Sequence, residues 1–409
     1  MVADVRGVVR PVESVMGLFP SPPRLLALGE PTHGEDVLLD LRNDLFERLV
    51  EQEGYRTIAI ESDCLAGLVV DDYVTGGAGT LDEVMERGFS HGFGASPANR
   101  ELVRRMRAHN EDRPAAERLR FAGFDGPLEI SGAASPRPAL TALHTYLAAR
   151  VDAGLLACTG ETLDRLLGAD ERWTDPAAMM DPSHSVGRSE EAVRLRLLAD
   201  DLVALLDAQT PDLIATSSRE EWERARLYGR TATGLLLYHS WMADTSPGRM
   251  TRLIGLRDAM MAANLFALAE RGPVLVHAHN RHLQRERSTM RLGALNLEWW
   301  SAGALVSARL GEEYAFLATA LGTLRHRGVG TPPPETVEGL LYGLSEERSV
   351  VGARDLVSAL GDTRLTPRVS PYFGYFPLDP AHLADNDGIV FVRDLGPTAT
   401  TSSSAPDTP

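Results

Sequence analysis

Seven short apolar runs constrain this chain more than anything else in it, because most of them stop abruptly at ionisable or turn-forming residues. They are Leu25 to Leu28, Thr57 to Ile60, Leu119 to Ala122, Pro273 to Val276, Ala302 to Ala308, Tyr314 to Thr319 and Gly388 to Val392. Runs this short, bounded by turn signals, read as buried strands. Helical patterns lie between the early runs, so the alternation predicts an α/β fold with a mainly parallel sheet and helices on both faces. The fifth and sixth runs are joined through Gly311-Glu312-Glu313, too short for a parallel crossover. That pair is predicted antiparallel, which makes the sheet mixed.

From about Gly126 to Met250 no strand signal is visible, and helical patterns such as Ser189 to Gln209 and Arg219 to Tyr238 dominate. Ser218, with Glu221 three residues on, reads as a capping-box start. The expected organisation is one α/β catalytic domain in two parts, 1–125 and 251–395, with 126–250 a helical insertion over the ligand edge. Trp222, Tyr228, Tyr238 and Trp241 either form an apolar substrate wall there or fill helix–helix core. Residues 396–409 carry almost no apolar side chains and are expected to be disordered.

Charge narrows the function. With 57 acidic against 41 basic residues the formal charge is -16, which disfavours nucleic acid as a partner because phosphate backbones select basic surfaces. A small-molecule substrate is the better expectation. The only cysteines, Cys64 and Cys158, are too few for a disulfide framework and suit a reducing cytoplasm. The first residues are broken by Pro11 and Pro20 and form no apolar core of a signal peptide. No run approaches the ~20 apolar residues of a spanning helix, so no membrane partner is expected. Oligomeric state is not encoded in any pattern here.

In sheets of parallel strands, ligands bind beyond the carboxyl ends. Glu30 and His33 follow the first run, Glu61 ends the second, Asp125 follows the third, and His277, His279, Asn280 and His282 follow the fourth. If those strands are neighbours, the groups share one cleft. The helix after His33 has its buried stripe at Leu38, Leu41, Leu45, Phe46 and Leu49. Arg42 lies about 40° from Leu38 and about 20° from Leu49 on that helix, so it points inward. A buried guanidinium stays charged and requires a partner, for which Glu30 or Glu61 is expected. Glu30, three residues before His33, is placed to orient its imidazole for proton abstraction.

Two strings are set aside. Gly88-Phe-Ser-His-Gly92 matches the nucleophile-elbow pattern, but a helical segment precedes Ser90 where the elbow requires a strand. His277-Ala-His-Asn-Arg-His282 approaches a binuclear zinc string, with Arg281 where an Asp ligand belongs. A single metal held by His279, His282 and a glutamate is the alternative reading of this cluster.

The stretches GEPTHG, Arg42 nine residues after His33, AIESD, RRMRAHNEDRP with RFAGFD, and RDAMMAANLFALAERGPVLVHAHNRH together resemble the erythromycin esterase family in order and spacing. The resemblance implies hydrolysis of an ester, typically a macrolide lactone, by water attack without a covalent intermediate or cofactor. It implies that His33 is the general base, that Glu30 and Glu61 support it, that Arg42 supplies positive charge, and that His279 and His282 complete the catalytic set. Most members are regarded as metal-independent. The chain departs from the pattern around FSHGFGASPANR, which replaces a Trp-rich segment, and at His277, where an aromatic is usual. His91, Phe93, Arg100, Asp125 and His277 are therefore expected to line the substrate pocket. The leading expectation is hydrolysis of an ester or lactone, macrolide or other natural product. A metal-dependent hydrolase at the same cleft and a non-hydrolytic acyl transfer or cyclisation are the alternatives.

Overall fold

The computed structural model describes residues 5–396 except 130, 294 and 345; of the expected tail, residues 397–409 lie outside the described residues. The strands are β1 Val9–Pro11, β2 Leu25–Glu30, β3 Thr57–Asp63, β4 Arg120–Asp125, β5 Leu128–Glu129, β6 Gly132–Ala133, β7 Val274–His279, β8 Arg287–Leu292, β9 Leu295–Trp300, β10 Tyr314–Leu324, β11 Arg348–Gly352 and β12 Gly388–Leu395. The helices are α1 Asp36–Gln52, α2 Gly67–Val74, α3 Leu81–Arg87, α4 Pro97–Asn110, α5 Arg137–Ala148, α6 Gly160–Leu167, α7 Glu190–Ala208, α8 Thr210–Thr216, α9 Arg219–Met242, α10 Arg249–Ala269, α11 Asn280–Leu283, α12 Ala302–Leu310, α13 Val337–Tyr342 and α14 Ala353–Leu360.

Eight strands form one mixed sheet in the order β1-β11-β12-β10-β2-β7-β3-β4. From β12 to β4 every neighbouring pair is parallel. The antiparallel part is β11 against β12 and β1. The predicted antiparallel pair is not the source of the mixing, because residues 302–310 form the helix α12. Ser301 caps it by accepting from the Ala304 N–H at 3.0 Å, and Gly311, with φ 56°, ends it. A nine-residue run with small residues and a cap at each end has no preference for the sheet, and apolar content alone does not separate the two states.

Alternation along the strands divides the core. Leu26, Leu28, Ile58, Ile60 and Leu275 face α1, α2 and α4. Leu25, Ala27, Ala59, Val274 and Val276 face α10 and α12. Residues 126–250 hold five α-helices, several 3₁₀ turns and the unpredicted hairpin β5–β6. Ser218 caps α9 through the Glu221 N–H at 3.1 Å. Of the four aromatics considered as a substrate wall, Tyr238 and Trp241 pack with Leu235, Met242 and Leu253, while Trp222 and Tyr228 pack with Leu143, Leu202 and Leu213. They are helix–helix core. Among the described residues no helix is long and apolar enough to cross a membrane.

Candidate active site

The strands β2, β7, β3 and β4 are neighbours, and their carboxyl ends bring the ionisable residues together. Backbone contact makes this possible at Gly29, where a Cβ would lie 2.1 Å from the Asn280 side-chain oxygen. Asn280 uses that approach to bridge to β10, donating to Thr319 O at 2.9 Å and accepting from Thr319 N–H at 3.2 Å. After Glu30 the chain turns through Gly34 at φ 82° into α1. His33 is left over the sheet edge.

A cavity of about 300 Å³ opens there, lined among others by Glu30, His33, Arg42, Glu61, His91, Phe93 and His277. His33 Nδ1 lies 2.7 Å from Glu30 Oε1, and Nε2 lies 3.9 Å from Glu61 Oε2. Partial burial pulls the His33 pKa down, but the Glu61 charge and the Glu30 hydrogen bond and charge outweigh it and raise it to about 9. His279 stands beside it, ring centroids 5.2 Å apart. Its Nδ1 accepts the Arg281 N–H at 3.1 Å, which puts the ring proton on Nε2. That Nε2 is buried and has no hydrogen-bond partner. Burial, with the His33 charge next, holds the His279 pKa well below the ordinary value, so the ring is neutral. His277, kept neutral by burial and then by Arg42, lies 3.9 Å from Glu30 Oε2, itself buried and unpartnered.

Arg42 is 1% exposed, as the helical phase predicts. The expected carboxylate partner is absent from its hydrogen bonds: it donates to Asn43 Oδ1 at 2.7 Å and Asn99 Oδ1 at 2.9 Å. Asn99 is brought to it by the start of α4, where Ser96 caps the helix and also donates to Asp36 Oδ1 at 2.5 Å. Burial without a hydrogen-bonded anion lowers the Arg42 pKa to about 10, partly offset by the charge of Glu30. The guanidinium is thus solvated by neutral groups.

Glu61 is the hub. It accepts the His279 N–H at 2.8 Å, and lies 3.3 Å from His282 Nε2 and 3.4 Å from Arg257 Nη2. Burial alone raises its pKa, but His282, His33 and Arg257 together hold it well below the usual carboxylate range. Asp125 takes a two-pronged contact from Arg257, Nη2 to Oδ2 at 2.6 Å and Nε to Oδ1 at 3.1 Å, and lies 3.1 Å from His91 Nε2. His91, at φ 57°, is tied on its other side to Glu129 at 2.7 Å. Asp125 therefore stands behind the cavity wall, fully engaged. His282 is also behind it, on the far side of Glu61.

Arg100 is not brought in. It lies on the exposed face of α4, paired with Asp82. Ser90 follows α3, and its oxygen accepts the Asp63 N–H at 2.8 Å, so the elbow geometry is absent. His282 Nδ1 is engaged with Asp258 and His279 Nδ1 with backbone. Among the described residues, the His/carboxylate group whose ligand atoms converge is a different one, Glu286, His382 and Asp385.

Besides Asn99, three residues near the site were missed. Arg257 and Asp258 begin the matched RDAMM stretch, and Arg257, Met261, Leu265 and Leu268 have the spacing of one helix face, which was a usable signal. Phe376 had none: it lies in irregular chain, donates its N–H to Pro31 O at 2.9 Å and packs edge-on against His279 at 4.9 Å.

Comparison with known proteins bears on family and fold. Residues 50–395 match the erythromycin esterase family model. Solved structures of similar fold include a Bacillus cereus protein (17% identity, TM-score 0.69, 95% of each chain) and a succinoglycan biosynthesis protein (15%, 0.70, 95% of each). A third is an erythromycin esterase mutant, EreC, in its open conformation (16%, 0.65, 93% of this chain and 92% of that one). No curated protein matches the chain. With 346 of 409 residues matched (50 through 395), the chain belongs to the erythromycin esterase family.

Proposed function

We propose that the protein hydrolyses an ester or lactone bond of a small, partly apolar molecule, with His33 as general base toward water. The observation that carries this reading is the pairing of two imidazoles with opposite assignments. His33 is pinned through Nδ1 to Glu30, which leaves Nε2 for the cavity. His279 is pinned through Nδ1 as an acceptor, which leaves an unsatisfied Nε2–H donor beside it.

Water gives a proton to His33 Nε2 as its oxygen bonds to the carbonyl carbon. The oxyanion takes the His279 Nε2–H as hydrogen-bond donor and the charge of Arg42, whose hydrogen-bond partners are neutral. Collapse breaks the bond to the leaving oxygen, and the proton held on His33 passes to it. Phe93, 5.5 Å from the His33 ring, and Phe376 flank the two imidazoles as apolar walls. Phe373, 75% exposed and 6.3 Å from Phe376, extends that wall outward.

The direction of the His33 shift gives a pH dependence. A base with its pKa raised to about 9 is protonated at neutral pH, and the active fraction grows as pH rises. The rate at low substrate is expected to climb about tenfold per pH unit on the acid side and to level near pH 9. A plateau already reached at pH 7 contradicts the assignment of His33.

Hydrolysis of an ester and lactone panel in ¹⁸O-labelled water, followed by mass, tests the reaction class. One labelled oxygen in the acid product is expected; transfer of the acyl group to an acceptor without label refutes hydrolysis. Ser90→Ala is expected to keep most of the activity, since the Ser90 oxygen is engaged with the Asp63 backbone.

A further inference from the structure

Behind Glu61, on the side away from the cavity, a second imidazole is held between two carboxylates. His282 Nε2 is 3.3 Å from Glu61 Oε1, and its Nδ1 is 2.5 Å from Asp258 Oδ1. Asp258 is completely buried, and its other oxygen accepts the indole N–H of Trp299 from β9. The charged and titratable groups facing His282 are Glu61 from β3, Asp258 and Arg257 from α10, and His279 at the end of β7. With a hydrogen-bonded carboxylate at Nδ1 and a second carboxylate 3.3 Å from Nε2, the surroundings favour the doubly protonated ring. Neither His282 nor Asp258 is among the residues lining the cavity: Asp258 is fully buried, and the two ring nitrogens of His282 face Asp258 and Glu61.

We infer that Asp258 is a positioning residue: by holding Nδ1–H of His282 it keeps that ring cationic against Glu61, and so limits the negative charge that Glu61 presents to His33. Trp299, Asp258, His282, Glu61, His33 and Glu30 thus form a line of alternating charge, hydrogen-bonded at Trp299–Asp258–His282 and at His33–Glu30 and joined through Glu61 at 3.3 and 3.9 Å. This inference rests on the reading of His33 as the base.

Asp258→Asn separates the parts. Its oxygen still accepts from Trp299, but its Nδ2–H donates to His282 Nδ1, which moves the ring to the neutral Nε2–H tautomer. Glu61 keeps the His279 N–H and Arg257 as donors and loses the charge of the imidazolium. The cation is lost together with the anion behind it, and the nearer charge decides the sign: the His33 proton is held more tightly, and the acid limb of the rate profile is expected to move up by about half a pH unit. The plateau above it is expected to remain, because no substrate contact changes. His282→Asn is expected to shift the limb in the same direction, and the double variant no further than His282→Asn alone. Asp258→Glu, which keeps the charge, is expected to show only a part of that shift.

Nitrogen-15 spectra of the His282 ring in the unmodified protein give a readout independent of activity and of any variant's folding. Both ring nitrogens protonated at pH 7 is the expected result, and a neutral His282 there overturns the inference. An Asp258→Asn limb that stays in place, or a shift that persists on the His282→Asn background, also overturns it. A fully active His33→Asn refutes the base assignment instead, and leaves the ring spectra to decide the Asp258–His282 pairing on their own.

Discussion

Replacing His33 with Asn is expected to lower the maximal hydrolysis rate by roughly 100-fold or more, the usual loss on removing a positioned general base. Asn keeps a polar atom for Glu30 and most of the volume, and His33 is 40% exposed, so little of the fold depends on the imidazole. The loss belongs in kcat, because the missing group acts as the water attacks rather than when substrate binds. Rates for the folded variant under saturating substrate measure it. A folded His33→Asn protein with near-normal kcat shows that the proton is taken elsewhere, and the cavity chemistry then has to be rebuilt around another group.

Arg257→Leu is expected to destabilise the protein by roughly 3–5 kcal/mol, the range for removing one partner of a buried ion pair. Asp125 is 0% exposed and takes three contacts of 3.1 Å or less from this guanidinium, while Glu61 sits 3.4 Å away. With Arg257 present, burial raises the Asp125 pKa but Arg257 and His91 together bring it below its ordinary value. A depressed carboxylate contributes stability above its unfolded pKa and loses it as pH falls through the folded one. Without Arg257, burial prevails and the sign reverses: ionised Asp125 becomes a cost that protonation relieves. Urea unfolding should therefore show the largest gap between the two proteins near neutral pH and a narrower one in acid. A loss below about 1 kcal/mol at pH 7 means that His91 and water carry the charge instead.

Much of the cleft was legible because parallel strands put their carboxyl ends on one edge, and the runs leading to Glu30, Glu61, Asp125 and His279 are mainly apolar with ionisable groups gathered at their carboxyl ends. Arg42 was legible in direction, since helical phase is fixed by spacing, but its partners were not. Asn99 lies 57 residues away, and nothing in one sequence shows that α4 crosses there. Arg257 was overlooked although its direction was readable: it shares a helix face with Met261, Leu265 and Leu268, all buried. Ala302–Leu310 was misread because short apolar runs fit helix and strand alike, and its caps were weaker signals than its composition. The strand β11, five residues long and preceded by charged chain, was overlooked for lack of a run. Arg100 was placed by sequence neighbourhood alone, and one helix carries both Asn99 inside and Arg100 outside.

The position of β7 between β2 and β3 has a consequence for how the protein is made. Those two strands have no hydrogen bonds to each other; each pairs with β7, which begins only at Val274. During synthesis the ribosome must add roughly 150 residues after β4, on the order of ten to thirty seconds of work, before the central strand exists. Through that interval Glu61 and Asp125 have been made without Arg257, and the inner edges of β2 and β3 lack their partner. A nascent chain of this order is exposed to edge pairing with its neighbours for longer than one whose strands are laid down side by side. Its yield on expression should thus depend on translation speed and on holding chaperones, more than the stability of the finished fold suggests.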